Sequence, residues 1–250
     1  MPQSDLETSS PQALRQVNES VKKRLILFDI DGTLLDPGTL ARKLIDEVVK
    51  EVTGQSPELQ VTDVAGFSDP VIIRTALAKL GQTDGDISAT VDDILHRYLR
   101  RLQEKYPEYE KPRLYDDAMP LVAACKLCGW HVGLLSGNLR EAAKVKLRRF
   151  GIWEKFAFGV FGDDAVSRDD LLWVAREHAW DALAEAYTYD RMILVGDTPN
   201  DARIATENGV RSLIVCRRPE WKREIVQHNP TWLVDSFKNV DKIVDWFKGD

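Results

Sequence analysis

Short apolar runs and amphipathic stretches alternate along most of this chain. Residues 25–28 are continuously apolar and predict a buried strand. Similar runs predict further strands at residues 130–135, 158–161, 192–195, 211–216 and 231–234. Apolar residues at helical spacing predict helices between them, at residues 117–127, 139–150, 169–179 and 202–208. This alternation indicates a parallel sheet with helices on both faces.

One stretch interrupts the alternation. Residues 40–52, 70–80 and 88–105 all carry the helical pattern, with no strand between them. We therefore predict a helical domain at residues 36–115, inserted into an α/β core formed by residues 23–35 and 116–250. Residues 1–22 are polar without a core-facing pattern and predict a mobile N-terminal tail.

The composition limits the classes of function. The chain has 250 residues, of which 44% are hydrophobic and 30% charged, as in ordinary soluble globular proteins. A net charge of −6 argues against a nucleic-acid partner and against an anionic membrane surface. The chain shows no apolar stretch of transmembrane length and no signal-peptide core, and three cysteines suit a reducing compartment. We expect a cytoplasmic protein, in which Cys125 and Cys128 are core residues.

Two aspartates end the first predicted strand. Asp29 and Asp31 are one residue apart, and alternate residues of an extended chain point the same way, so both carboxylates can face one point. Such a pair needs a hard cation such as Mg²⁺, or a shared proton. Gly32 permits a sharp turn, and Thr33 offers a hydroxyl and an N–H to a phosphate oxygen. A strand that simply ends in a polar turn is the alternative interpretation.

Polar residues also end two later strands. Ser136, Gly137 and Asn138 follow one of them, where a hydroxyl, a close backbone approach and a helix N-terminus can meet an anion. Asp197 ends the other strand, and Asp201 follows as a helix begins. Asp197 could ligate a metal ion, and Asp201 could support it. The alternatives are that Asn138 only caps its helix and that Asp201 only complements a helix dipole.

These three motifs, in this order, resemble those of the haloacid dehalogenase-like (HAD) hydrolase superfamily. The first motif is Asp29–Thr33, the second matches at Ser136, and the fourth covers Gly196–Asp201. The resemblance implies an α/β fold, with a Rossmann-like parallel sheet core and the insertion as a helical C1 cap. Within the superfamily, the layout is most similar to phosphoglycolate phosphatase-like enzymes.

The resemblance implies a covalent phosphoryl transfer with Mg²⁺ as the cofactor. Asp29 would attack phosphorus to form an aspartyl-phosphate, and Asp31 would act as general acid and then general base. Asp29, the backbone carbonyl of Asp31, and Asp197 would hold the metal ion, supported by Asp201. The phosphoryl oxygens would be bound by the first two motifs, through Thr33, Gly32, Ser136, Gly137 and Asn138.

The third motif departs from the family pattern. It is normally a lysine just before the helix that precedes the fourth motif, but here residues 167–171 read SRDDL. We place Arg168 in this role, because a cation there could pair with Asp29 and the phosphate. Lys146 and Lys144, on the helix after Ser136, are the rival candidates. A solvated helix charge is the alternative for each of them.

The predicted substrate is a small phosphorylated metabolite, with no nucleic acid or membrane as partner. Asp31 favours phosphate esters over halides, because a halide leaving group needs no acid. The loop at residues 66–70 and the following Arg74 are candidates to face the site from the cap. A phosphomutase of the same superfamily, or a regulatory module that binds phosphate or metal without turnover, is the alternative function. The sequence makes no prediction about the oligomeric state.

Overall fold

The computed structural model describes residues 23–83, 86–165 and 168–249, and of Arg168 it describes the backbone alone. The tail predicted at residues 1–22 lies outside the described residues. Within them, no helix is long and apolar enough to cross a membrane.

A parallel sheet forms the centre of the fold. Its strands among the described residues are β1 (Leu25–Phe28), β4 (His131–Leu135), β5 (Gly159–Val160), β6 (Met192–Gly196), β7 (Arg211–Val215) and β8 (Trp232–Val234). These six strands lie in the order β5-β4-β1-β6-β7-β8 across the sheet. In the register of the three central strands, Phe28 pairs with Leu134 on one side and with Val195 on the other. The three strands therefore end level with one another, and the residues that follow them lie at one edge of the sheet.

In the described part of the chain, helices cover the two faces of this sheet, and four further helices precede these in sequence. In chain order the helices are α1 (Leu40–Thr53), α2 (Val61–Val64), α3 (Asp69–Lys79), α4 (Ser88–Lys105), α5 (Ala118–Leu127), α6 (Arg140–Arg148), α7 (Leu171–Leu183), α8 (Pro199–Glu207), α9 (Lys222–Gln227) and α10 (Val240–Lys248). Most bounds agree with the prediction to within a few residues. The short helices α2 and α9 and the C-terminal α10 were not predicted.

Both faces of β1 are buried, which explains its continuous apolar sequence. Ile26 and Phe28 point into one hydrophobic cluster, whereas Leu25 and Leu27 point into a second cluster on the other face. All four side chains are fully buried. A strand with a solvated face would show alternation instead. The predicted α/β sheet with helices on both faces is confirmed.

Helices α1 to α4 contribute most of the residues of a further hydrophobic cluster. Leu44, Val48, Ile73, Leu77 and Leu102 are among its fully buried members. The cluster also includes Leu139 and Ala142 of the α6 region, so the helical insertion packs on the core through α6. The antiparallel pair β2 (Leu35–Asp36) and β3 (Arg113–Leu114) joins the two ends of the insertion. Two-residue strands are too short to give a sequence pattern.

The C-x-x-C sequence lies on α5. Cys125 is fully buried in the main cluster, and Cys128 packs against that cluster. Burial raises the pKa of the Cys125 thiol, which makes this group an unreactive core residue.

Candidate active site

Three aspartates converge at the carboxyl edge of the sheet. Asp29 follows β1, Asp197 follows β6, and Asp201 lies in the first turn of α8. Each offers a carboxylate oxygen, and these oxygens lie within 4.8 Å of one another. All three side chains are buried. Two strand ends and a helix start therefore place three acids at one point.

Local hydrogen bonds hold this cluster in place. The N–H of Asp29 donates to the carbonyl of Val195 at 2.8 Å, which continues the sheet one residue past β1. The Thr198 hydroxyl accepts from the N–H of Asp201, and the Asp201 carboxylate accepts from the Thr198 N–H at 3.0 Å. This reciprocal arrangement is a capping box at the start of α8. Asp201 therefore caps its helix and belongs to the acidic cluster as well.

The electrostatics of the cluster call for a cation. Burial, followed by the charges of Asp201 and Asp29, raises the pKa of Asp197 well above its usual range. The charge of Arg218 and the hydroxyl of Thr33 oppose this shift. Every donor in the cluster is a carboxylate oxygen, the ligand type that Mg²⁺ prefers. The residues therefore fit a magnesium ion.

Gly32 provides space for the cluster. Its φ is +89°, a left-handed conformation, and a Cβ at this position would lie 2.1 Å from Oδ2 of Asp197. Its N–H donates to the carbonyl of Leu35 at 2.7 Å, so it is engaged within the turn and not directed to a phosphate. Thr33 is fully buried, and its hydroxyl donates to Oδ1 of Asp197 at 3.3 Å. In this structure Thr33 supports a cluster acid from behind.

A second polar group lies beside the cluster. Asp31 Oδ2 accepts hydrogen bonds from the ammonium of Lys146 and, at 3.1 Å, from the amide of Asn138. The same amide donates to the Ser136 hydroxyl at 3.0 Å, and Lys146 also donates to Oδ1 of Asn138. One cavity is lined by residues of this group and by two acids of the cluster, namely Asp31, Ser136, Gly137, Asn138, Lys146, Asp29 and Asp197. The first, second and fourth sequence motifs therefore meet.

The structure separates the candidates for the third motif. Lys146 is 1% exposed, and its ammonium reaches into the cavity. Lys144 pairs with Glu141 at 3.2 Å on the outer side of α6 and does not line the cavity. Arg168 opens a 3₁₀ turn before α7, and its side chain lies outside the described part of the chain. Lys146 is therefore the described candidate that touches the site.

A sequence signal marks Lys146 as a buried lysine. Leu139, Ala142, Ala143, Lys146 and Leu147 follow the i, i+3, i+4, i+7, i+8 spacing of a core-facing stripe. A lysine in such a stripe is buried with the apolar residues and needs a charged or polar partner. Lys144 lies outside the stripe, so helical spacing distinguishes the two lysines.

A loop of the helical insertion touches both motif-bearing edges of the core. The carbonyl of Gly66 accepts from the side-chain amide of Asn200, at the start of α8. The N–H of Asp69 donates to the carbonyl of Gly137 at 2.9 Å, and its carboxylate accepts from the N–H of Leu139 at 2.8 Å. Arg74, named from the sequence with this loop, is exposed and does not line the cavity.

Asp69 is a site residue that the sequence did not single out. Its side chain is 5% exposed, and burial raises its pKa to about 6. The charge of Lys146 and the N–H of Leu139 lower this pKa, whereas the charges of Asp31 and Asp163 raise it. Asp69 therefore couples the insertion electrostatically to the Asp31–Lys146 pair.

The cavity has a volume of about 310 Å³ and lies between the insertion and the carboxyl edge of the sheet. This volume is at the lower end for small-molecule sites. Besides the motif residues it is lined by arginines from both sides, namely Arg42, Arg113, Arg217 and Arg218. None of these arginines is among the site residues predicted from the sequence, since no local pattern directs them to the site.

Comparisons with known proteins identify the family of this chain and its relatives. A model of the family described as "haloacid dehalogenase-like hydrolase" matches residues 23–209. A phosphoglycolate phosphatase from Vibrio parahaemolyticus is 24% identical over 229 residues, which cover 88% of this chain and 96% of the relative.

Solved structures show the same fold. A predicted phosphoglycolate phosphatase from Haemophilus somnus superposes with a TM-score of 0.68 at 19% identity, covering 89% of this chain and 98% of its own. CbbY from Rhodobacter sphaeroides, in complex with xylulose-(1,5)bisphosphate, gives a TM-score of 0.66 at 19% identity, with 87% and 96% covered.

Proposed function

The chain belongs to the haloacid dehalogenase-like hydrolase family, and we propose that it hydrolyses a small phosphate monoester through an aspartyl-phosphate, with Mg²⁺ as cofactor. One observation carries this proposal. Three carboxylates converge at a cavity that two of them line, and the same cavity contains an aspartate held by a buried lysine and an amide. Phosphoryl transfer needs a nucleophile, an acid and positive charge at one place.

In this proposal Asp29 is the nucleophile. Its carboxylate attacks phosphorus and displaces the alcohol, and water then hydrolyses the aspartyl-phosphate to release phosphate and restore the carboxylate. Asp31 protonates the leaving alkoxide and takes a proton from the attacking water. Oδ2 of Asp31 is held by Lys146 and Asn138, whereas Oδ1 is buried and has no hydrogen-bond partner among the described residues. Lys146 and Asn138 therefore fix the orientation of the Asp31 carboxyl group.

Lys146 takes the role of the third motif in this proposal. Its ammonium is buried in the cavity beside Asp31 and Asn138, so its charge is weakly screened there. A phosphoryl group that enters the cavity would meet Lys146, the Ser136 hydroxyl and the Asn138 amide. Arg168 stays a prediction for this role.

The metal site in this proposal uses Asp29, Asp197 and the backbone carbonyl of Asp31, with Asp201 as a further ligand or support. Bound there, Mg²⁺ would offset the repulsion between the carboxylates and the phosphate. Thr33 and the capping box would keep Asp197 and Asp201 oriented toward the ion.

The inserted helices at residues 36–115 act as a cap in this proposal. Their loop at Gly66 and Asp69 lies against both α8 and the Gly137 region, so it covers the edge where the acids meet. Covering the edge excludes bulk water from the reacting groups. The volume of the cavity suits a small phosphorylated metabolite.

The three cysteines are free thiols, which supports a cytoplasmic location in this proposal.

Phosphate release tests the proposal. The purified chain is assayed with p-nitrophenyl phosphate and a panel of phosphorylated metabolites, with Mg²⁺ and with EDTA. We expect turnover that EDTA abolishes and that Asp29→Asn lowers by about 10⁴-fold. Asp181→Asn, at an exposed position of α7 away from the cavity, is the matched control and should keep full activity. Activity that survives in Asp29→Asn would refute the assigned nucleophile, and an inactive wild type would refute the hydrolase.

A further inference from the structure

Arg218 differs from the other arginines of the cavity, which either pair with an acid or donate to a backbone carbonyl. Arg217 is engaged by Asp117 through two hydrogen bonds of 3.0 and 2.6 Å, and Arg113 pairs with Asp36 at 3.4 Å. Arg218, by contrast, makes no ion pair or side-chain hydrogen bond within residues 23–83, 86–165 and 168–249. Its side chain is exposed at the mouth of the cavity.

The backbone around Arg218 is well held. Its carbonyl accepts from the N–H of Trp221 at 3.0 Å and from the thiol of Cys216 at 3.3 Å. The guanidinium lies over the ring of Trp221, 4.7 Å from the ring centre, and Trp221 also lines the cavity. This stacking limits the rotamers of Arg218 and keeps its charge directed at the cavity mouth. The Arg218 guanidinium is therefore preorganised for binding, and its N–H groups are available to a ligand in the cavity.

Arg218 also lies beside the acidic cluster, on the side away from Lys146. It follows β7, the neighbour of β6, and its charge acts on Asp197 at the end of β6. Lys146, the cation of the phosphoryl end, comes from α6 on the other side of β1. A substrate whose phosphate lies near Asp29 would extend toward the mouth, where the guanidinium can bind a carboxylate or a phosphate with two donors.

We infer that Arg218 determines specificity by binding a second anionic group, a carboxylate or a phosphate, on the alcohol part of the phosphate monoester. This inference rests on the proposed function, because it assumes that the phosphoryl group lies at the acidic cluster. It adds the class of substrate: a monoester with a second anion is preferred over an ester with a neutral tail.

Three esters of equal chain length test the inference: phosphoglycolate, ethylene glycol bisphosphate and ethylene glycol monophosphate. Arg218→Gln should lower kcat/KM for a doubly anionic ester by about 10- to 100-fold, mainly through KM, and leave the monophosphate unchanged. A loss confined to phosphoglycolate identifies a carboxylate, and a loss confined to the bisphosphate identifies a phosphate. Arg223→Gln, an exposed arginine of α9 outside the cavity, is the matched control and should change nothing.

Two results would overturn the inference: an equal loss for all three esters, or no loss for any of them. If the wild type releases phosphate from none of these esters, from p-nitrophenyl phosphate or from any other ester of the panel, the proposed function fails separately. Calorimetric titration of the same esters in Mg²⁺ then still tests whether Arg218 binds a second anion. The doubly anionic esters should bind more tightly than the monophosphate, and Arg218→Gln should remove that difference. Equal affinities of the wild type for the three esters would contradict the role of Arg218.

Discussion

Replacing Asp69 with asparagine is expected to stabilise the protein at neutral pH. Asp69 is 5% exposed, and its carboxylate accepts from the N–H of Leu139 at 2.8 Å. Asparagine keeps an oxygen for this bond and removes the buried charge. The pKa of Asp69 is raised, above all by burial, from 3.8 to about 6, which corresponds to about 3 kcal/mol of folding free energy.

The sign follows from proton binding. Between pH 4 and 6 the folded protein holds a proton on Asp69 that the unfolded chain releases, since the folded pKa is about 6 and the ordinary value 3.8. The stability associated with Asp69 is therefore fully present below the unfolded pKa and is lost as the pH rises through the folded pKa. Asparagine does not titrate, so the variant avoids this loss.

Urea unfolding, followed by tryptophan fluorescence between about pH 4 and 8, measures the difference. We expect Asp69→Asn to match the wild type near pH 4 and to exceed it by about 3 kcal/mol above pH 7. Asp163→Asn removes an exposed carboxylate that accepts from the N–H of Arg140 near the same helix start, and it supplies the baseline. A difference that is constant with pH, or a variant less stable than the wild type at pH 7.5, would refute the reasoning.

Three further predictions concern the site. Lys146→Gln should lower kcat by about 100- to 1,000-fold in steady-state assays. Lys144→Gln, on the outer side of α6, is the control and should keep a kcat near that of the wild type. Equal losses of kcat in the two variants would exclude a special role for Lys146. Gly66→Ala places a Cβ 2.8 Å from a hydroxyl at the start of α8, so activity should fall together with stability. Gly81→Ala has a similar positive φ but open space around it and should cost stability alone; if both variants lose activity equally, contact by the loop is not the cause. Mg²⁺ at 100 times its Kd should stabilise the wild type by about 2.7 kcal/mol and so raise its Tm. If the Tm of Asp197→Asn rises by the same amount, the ion binds elsewhere.

Much of the fold follows from local pattern. The apolar run of β1 is buried on both faces, and the periodic stripes of α1, α4 and α6 give helices close to the predicted bounds. Elements with few residues, such as β2, β3 and α2, have no such signal, because two to four residues cannot show a period. Their formation depends on the chain segments that pack around them.

The strand-end acids could also be predicted from the sequence. Asp29 and Asp197 each follow a continuous apolar run, and parallel strands bring their carboxyl ends to one edge. The order of β4, β1 and β6 then places the Ser136 region beside them. Asp201 has two roles: it caps the start of α8, and it belongs to the acidic cluster. The same position at the start of the helix accounts for both roles.

The sequence by itself thus determined the sheet, the main helices and the acids at the strand ends, because each depends on short-range periodicity and on a rule of sheet topology. Only the tertiary structure decided that Lys146 meets Asp31, that Asp69 of the insertion contacts the Gly137 loop, and that Arg218 lines the cavity. These contacts join residues far apart in the chain. Their partners are chosen by how whole elements pack, and no local spacing encodes that choice.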